Sequence, residues 1–290
     1  MIHPKDLKLR GNKMILGISS YTYTWATGVH GSEPVNPLLA SDLIDKAANS
    51  GLKLVQIADN LPLETLTENE ILKIAAYAGG KGIIIEMGGR GLYPEHTYKC
   101  LKTAALLKSP ILRMVIDNPG FAPDLNSVIS IIRELLPEFK SRNIKLAIEN
   151  HDRFKAREFE QIIQGAGSEF AGICLDSVNS LGAGEGFEIV SEILIPYTIN
   201  LHIKDFSISR ISHKMGLNVE GKPAGKGMLK IPDLLKKVSS TGLCLSAVLE
   251  LWTPPAGNIE ETIRKEELWA KESIEYLAHL IKELEYEKNL

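Results

Sequence analysis

The chain has 290 residues, 44% hydrophobic and 24% charged, with a formal net charge of −3. That composition is ordinary for a soluble globular protein, and no basic stripe of the kind that binds nucleic acid interrupts it. No apolar run approaches the roughly 18 residues of a membrane-spanning helix, and residues 1–20 show no signal-peptide pattern.

The chain alternates short β-branched runs with longer amphipathic segments. A first strand is predicted over 14–20. It is followed by a helix over 41–51 with Ser41 as N-cap and Gly51 as its stop. Strand-helix pairs then follow at 52–59 and 68–82, at 83–89 and 97–108, and at 111–117 and 125–143. The second half repeats the rhythm at 145–151 and 156–167, at 171–179 and 186–197, and at 198–205 and 230–242. A long polar loop separates the last of these strands from its helix. The eighth strand is expected at 245–252 and a long amphipathic helix at 258–284.

Eight strand-helix units without a composition break imply parallel strands joined by crossover helices. Near-continuous apolar strands fit a sheet buried on both faces. An open doubly wound sheet usually carries a glycine-rich first turn, and "GISSYTYTW" offers none. The expectation is a single α/β domain over 1–290, a (β/α)8 TIM barrel, with its active site where strands end and βα loops begin.

Four strands in succession, the fifth to the eighth, break an apolar run with a polar residue near their ends: Glu149, Asp176, His202 and Glu250. A charge inside an apolar run is costly unless it is paired or ligates a cation. Three carboxylates and an imidazole at one barrel mouth call for a positive charge between them. The set suits one divalent metal ion, Mn2+, Mg2+, Co2+ or Zn2+, and its ligand types do not choose among these. Taken singly, each residue reads as a salt-bridge partner or cap; the repetition on four strands favours the metal. Glu86 and Arg113 are expected at the same mouth as a mutual ion pair. Trp25 is a candidate to stack on a sugar face, against packing under a loop.

The motifs "IENHD" (148–152), "CLDSVNSLG" (174–182), "LHIKD" (201–205), "PAGKGMLKIPDLL" (223–235) and "LELW" (249–252) resemble those of the xylose isomerase-like TIM barrels, the sugar phosphate isomerase/epimerase family. The resemblance spans nearly the whole chain. It implies that Glu149, Asp176, His202 and Glu250 hold the metal and that Glu149 and Glu250 are the catalytic acid-base pair. It further implies proton transfer through a metal-bound enediolate. Many members carry a His three residues after the strand-six Asp; here Asn179 stands there, which can donate a hydrogen bond but exchanges no proton near neutral pH. His151 could compensate by facing the cavity. Lys204 is a candidate to stabilise an oxyanion, or else a salt-bridge partner of Asp205 or Glu149. Arg210 and His213, in a cation-rich loop, are candidates to hold an acidic substrate group, against a plain solvated loop. The endonuclease IV-like relatives of this barrel need more metal ligands and a cationic surface than this sequence supplies.

The leading expectation is therefore a metal-dependent isomerase or epimerase of a sugar or sugar derivative. The alternative is a lyase, a decarboxylase or dehydratase of a keto-sugar or keto-sugar acid, on the same site. A non-catalytic sugar-binding barrel is disfavoured because it needs no metal quartet. Partners are expected to be a small-molecule carbohydrate, with no nucleic acid or membrane. The final helix suits a homo-oligomer contact or, more simply, the last barrel helix. Three scattered cysteines (Cys100, Cys174, Cys244) without a CxxC pair argue for a reducing, cytoplasmic location.

Overall fold

The computed structural model describes residues 14–288; most of the segment read for a signal peptide lies outside them. Eight parallel strands close into a barrel: β1 (Ile15–Ser19), β2 (Leu54–Ile57), β3 (Ile84–Arg90), β4 (Ile111–Val115), β5 (Lys145–Glu149), β6 (Ala171–Asp176), β7 (Thr198–Ile203) and β10 (Ser246–Leu249). Each barrel strand pairs with the next barrel strand along the chain, β7 with β10, and β1 pairs with β10 to seal the ring. Between them run α1 (Ala40–Asn49), α2 (Glu68–Gly80), α3 (Pro94–Leu107), α4 (Leu125–Arg142), α5 (Ala156–Ala166), α6 (Phe187–Leu194) and α7 (Ile231–Ser240), and α8 (Ile259–Lys288) follows β10. The expected (β/α)8 TIM barrel is the observed fold.

The helices bury one stripe each against the strands. In α7, Ile231, Leu234, Leu235 and Val238 are buried, a spacing that puts them on one helical face. Burying each such side chain contributes roughly 1.5–3 kcal/mol, more than helix propensity supplies, so packing holds these helices in place. Local signals set their ends. Thr67 and Glu70 form a reciprocal capping box at the start of α2, and Asp124 caps α4 by accepting from Ser127 N at 2.8 Å. Ser41 is not the cap expected for α1. The Asp42 carboxylate accepts from Leu39 N at 2.9 Å, so the helix starts at Ala40 and Ser41 lies inside it.

The expected polar loop after the seventh strand is also corrected. It folds into an antiparallel hairpin, β8 (Asp205–Arg210) with β9 (Leu217–Lys222), paired over six residues on each strand. Asp205 anchors its base. One carboxylate oxygen accepts from Gly225 N and Gly227 N, each at 2.9 Å, and the other from Phe206 N and Leu229 N. A Cβ at Gly227 would lie 2.1 Å from Asp205 Oδ1. The adjoining His-x-Lys-Asp and Gly-Lys-Gly motifs are thus two halves of one backbone nest around an anion.

Candidate active site

The strands deliver two polar layers into the barrel, the upper one at their C-terminal ends. The deeper one holds Glu86, Gln56, Asn200 and Ser246, all buried. Glu86 Oε2 accepts from Gln56 Nε2 at 3.2 Å and Asn200 Nδ2 at 3.1 Å. Burial raises the Glu86 carboxyl above its ordinary value despite these donors. Glu86 does not pair with Arg113 as expected. Adjacent strands stagger, so Glu86 stands opposite Gln56, whereas Arg113 stands opposite Gly88, two residues further along β3.

The upper layer carries Glu149, Asp176, His202 and Glu250, each no more than 1% exposed. His202 Nδ1 lies 3.5 Å from Glu149 Oε2, 3.7 Å from Asp176 Oδ2 and 3.4 Å from Glu250 Oε1. None of these four atoms makes a hydrogen bond. On its other side, His202 Nε2 is 2.7 Å from Gln56 Oε1. Gln56 spends its amide protons on Glu86 and Asn200, so Nε2–H is the donor to it. That leaves the Nδ1 lone pair facing three carboxylates. The Nδ1 nitrogen and three carboxylate oxygens converge on one point, where Glu149 Oε2 and Asp176 Oδ2 also meet Arg113 and Lys204 and Glu250 Oε1 is unmet. Such a set suits a divalent cation, and a hydrogen-bonded second nitrogen is the usual support of a metal-binding His. The buried Glu, Asp and His cluster fits a metal ion.

Fixed cations flank the quartet. Lys204 Nζ lies 2.7 Å from Asp176 Oδ2 and 2.8 Å from Glu250 Oε2. Burial opposes its charge, but Asp176, Glu250 and Glu149 hold it protonated well above the ordinary lysine value. Burial likewise opposes the Asp176 charge, and Lys204 and His202 reverse the effect, pushing that carboxyl down. For His202, burial lowers the pKa and Glu250, Asp176 and Glu149 raise it, with the rise prevailing. Arg113, buried in β4, sets Nε 2.6 Å from Glu149 Oε2 and Nη1 3.0 Å from Asp59 Oδ1. Gly88 lets β3 lie close to Ala58, since a Cβ there would sit 3.2 Å from Ala58 Cα.

A cavity of about 280 Å³ opens above this layer. Glu149, Glu250, Asn179, Lys204 and His151 line it, as do Tyr21, Arg90 and Trp252. His151 reaches the cavity although β5 stops at Glu149, so strand alternation does not govern it. Its Nδ1 is 2.8 Å from Asp152 and its Nε2 3.4 Å from Arg90 Nη2. Asn179 donates to Glu149 Oε1 at 2.6 Å. Tyr21 donates to Asp59 Oδ2 at 3.0 Å, which also pairs with Arg90 Nε.

Four candidates lie off the cavity lining. Trp25 donates its indole N–H to Thr253 O at 2.7 Å, and its backbone N–H meets Glu266. Glu86 is in the deeper layer. Arg210 sits at the hairpin tip, exposed, with Nη1 on Lys214 O at 3.2 Å; His213 is exposed nearby. Sequence reasoning did not single out Tyr21, Arg90 or Trp252. Two of them were within reach of alternation: Arg90 follows Glu86 by four residues on β3, and Trp252 follows Glu250 by two.

A family model described as xylose isomerase-like TIM barrel matches residues 44–280. The chain belongs to the xylose isomerase-like TIM barrel family. It is 31% identical over 264 residues to a 3-oxo-isoapionate decarboxylase of Pectobacterium atrosepticum, covering 91% of this chain and 95% of that one. Its fold is similar to that of D-psicose 3-epimerase from Clostridium cellulolyticum H10, at a TM-score of 0.70 and 14% identity, over 92% of this chain and 99% of the other. A xylose isomerase-like TIM barrel protein from Mycobacterium smegmatis, solved in complex with magnesium, superposes at a TM-score of 0.64 and 13% identity, over 91% and 97% of the two chains. At such identities the two structures share the fold alone. No helix among the described residues is long and apolar enough to cross a membrane.

Proposed function

We propose that this chain is a divalent-metal-dependent lyase that decarboxylates a keto-sugar acid. The carrying observation is the state of Glu149. Asn179 occupies one of its oxygens, while the other is paired with Arg113 and faces the quartet's centre. An epimerase base needs a carboxylate oxygen free to reach a carbon-bound proton. Decarboxylation needs none; it needs an electron sink and a proton donor. The 31% identity to a decarboxylase points the same way, so the order of the two readings drawn from sequence is reversed.

Charge supports an acidic substrate. The buried carboxylates Glu149, Asp176 and Glu250 face only two buried fixed cations, Arg113 and Lys204. The residual charge is one negative; a divalent ion turns it into one positive. Glu149, Asp176, His202 and Glu250 would hold that ion, which supplies Lewis-acid polarisation of a substrate carbonyl. The bond between the carboxyl carbon and its neighbour then breaks, CO2 leaves, and the electron pair moves into the carbonyl to give an enolate. Lys204, locked protonated at the cavity floor, faces that developing charge. Protonation of the enolate carbon completes the reaction, with His151 as the protic group at the cavity rim. Arg90 and Tyr21 orient the substrate.

The isomerase or epimerase reading keeps one argument: Glu149 and Glu250 both border the cavity. One experiment separates the two. The protein, supplied in turn with Mn2+, Mg2+, Co2+ or Zn2+, is incubated in D2O with 3-oxo-isoapionate, the keto acid named for its relative, and followed by NMR. Release of CO2 with one product in equal amount is expected. Deuterium exchange beside the carbonyl with the carboxylate retained would overturn the lyase reading. A cytoplasmic location is proposed as well, consistent with three free, buried cysteines.

A further inference from the structure

A second group of metal-ligand type lies outside the barrel, between α3 and the β2–α2 loop. Cys100 and His96 stand four residues apart on α3, hence on one helical face. Cys100 Sγ is 3.4 Å from His96 Nε2. Glu64, on the single 3-10 turn Leu63–Thr65, brings a carboxylate oxygen to the same place, with all three donor atoms within 4.8 Å of one another. Tyr93 stacks on the His96 ring at 5.1 Å between centroids and fixes its plane. Gly89 on β3 makes room for the thiol, since a Cβ there would lie 3.1 Å from Sγ.

An S–H···N hydrogen bond would account for Cys100 and His96, but not for Glu64. Its Oε2 is buried and makes no hydrogen bond, an arrangement that costs about 1–3 kcal/mol unless something meets it. We propose that Glu64, His96 and Cys100 form a second cation site, one that takes a thiolate-loving divalent ion of the zinc class. Zn–S and Zn–N bonds of ordinary length at a tetrahedral angle set the two ligand atoms about 3.5 Å apart, close to the spacing present. Soft sulfur with imidazole selects zinc-type ions, whereas the oxygen-rich barrel quartet does not discriminate in this way. Burial and the Glu64 charge hold the Cys100 thiol in its protonated form; a cation reverses that preference. Cys100 is fully buried, and half-exposed Glu64 and His96 flank it on the solvent side. The ion therefore enters from outside the barrel and ties the β2–α2 loop to α3.

The proposal is independent of the reaction assigned above, and the probe is Co2+ added to the whole protein. A bound thiolate gives a near-ultraviolet sulfur-to-cobalt charge-transfer band, which an all-oxygen-and-nitrogen site lacks. The band is expected in the wild type, in Cys174→Ser and in His202→Ala, and is expected to vanish in Cys100→Ser. His96→Ala and Glu64→Gln, at half-exposed positions, keep the test informative if the Cys100 variant fails to fold. Each should weaken the Co2+ affinity read from the band at least about tenfold. Absence of any thiolate band in the wild type would overturn the proposal, as would a band that disappears with Cys174 rather than Cys100.

Discussion

Two carboxylates in successive layers of one barrel behave in opposite ways. Glu86, in the deeper layer, is surrounded by amides and a hydroxyl that donate to it, and its environment favours the neutral acid. Glu250, in the upper layer, has His202 and Lys204 beside it, and its charge is favoured even though burial opposes it. Both are buried in the same ring of strands. Amides complete the first as part of the scaffold, whereas the second pairs Oε2 with Lys204 and keeps Oε1 unmet, aimed at a shared point. Burial alone therefore does not tell the two apart; unmet hydrogen-bonding capacity at Glu250 does.

His202→Ala attacks the upper layer where it converges. Divalent-metal affinity should fall by roughly a hundredfold or more, read by competition with a chelator. Arg113→Met tests whether the upper layer is electrostatically balanced. It leaves Glu149 without its buried cation while Asp59 keeps Arg90, and breaking one partner of a buried pair costs about 3–5 kcal/mol. Urea unfolding should show that loss without added metal and a smaller one with it.

Glu86→Gln tests the lower layer through pH. The carboxyl is raised in the folded protein, so its folded form binds a proton that the unfolded chain has already released. The wild type should thus lose stability as pH rises from the ordinary carboxylate range through the raised value. The Gln variant should lose that part of the slope, measured as the urea midpoint at successive pH values. Arg210→Ala should do least. The residue lies on the exposed hairpin outside the cavity, so turnover should stay within about twofold and stability within about 0.5 kcal/mol. A larger fall in turnover would bring the hairpin back into the site.

The barrel was legible because its signal is repeated. Eight apolar runs and seven intervening amphipathic stretches leave few topologies open, and the strand ends differ from the structure by one to three residues. The hairpin Asp205–Arg210 with Leu217–Lys222 was not legible. Its alternation, Phe206 and Ile208 on one strand and Leu217 and Val219 on the other, is confined to two apolar residues a strand within a polar stretch, too short to stand out from a loop. Ser41 misled for a related reason: a side chain suited to capping lost to Asp42, which lies three residues past the true cap.

At the site, the sequence by itself determined that Glu149, Asp176, His202 and Glu250 end four successive strands. Parallel strands in a closed barrel bring such positions to one mouth whatever the register details. It also contained the Asn179 departure, though not its meaning. Only the tertiary structure decided which groups meet: Arg113 with Glu149 rather than Glu86, Lys204 with Asp176 and Glu250 rather than Asp205 or Glu149, and Asn179 with Glu149. The stagger between strands and the conformations of loops fix those partnerships. A polar residue's place along the chain is a local property, whereas the partner that satisfies its charge comes from another strand.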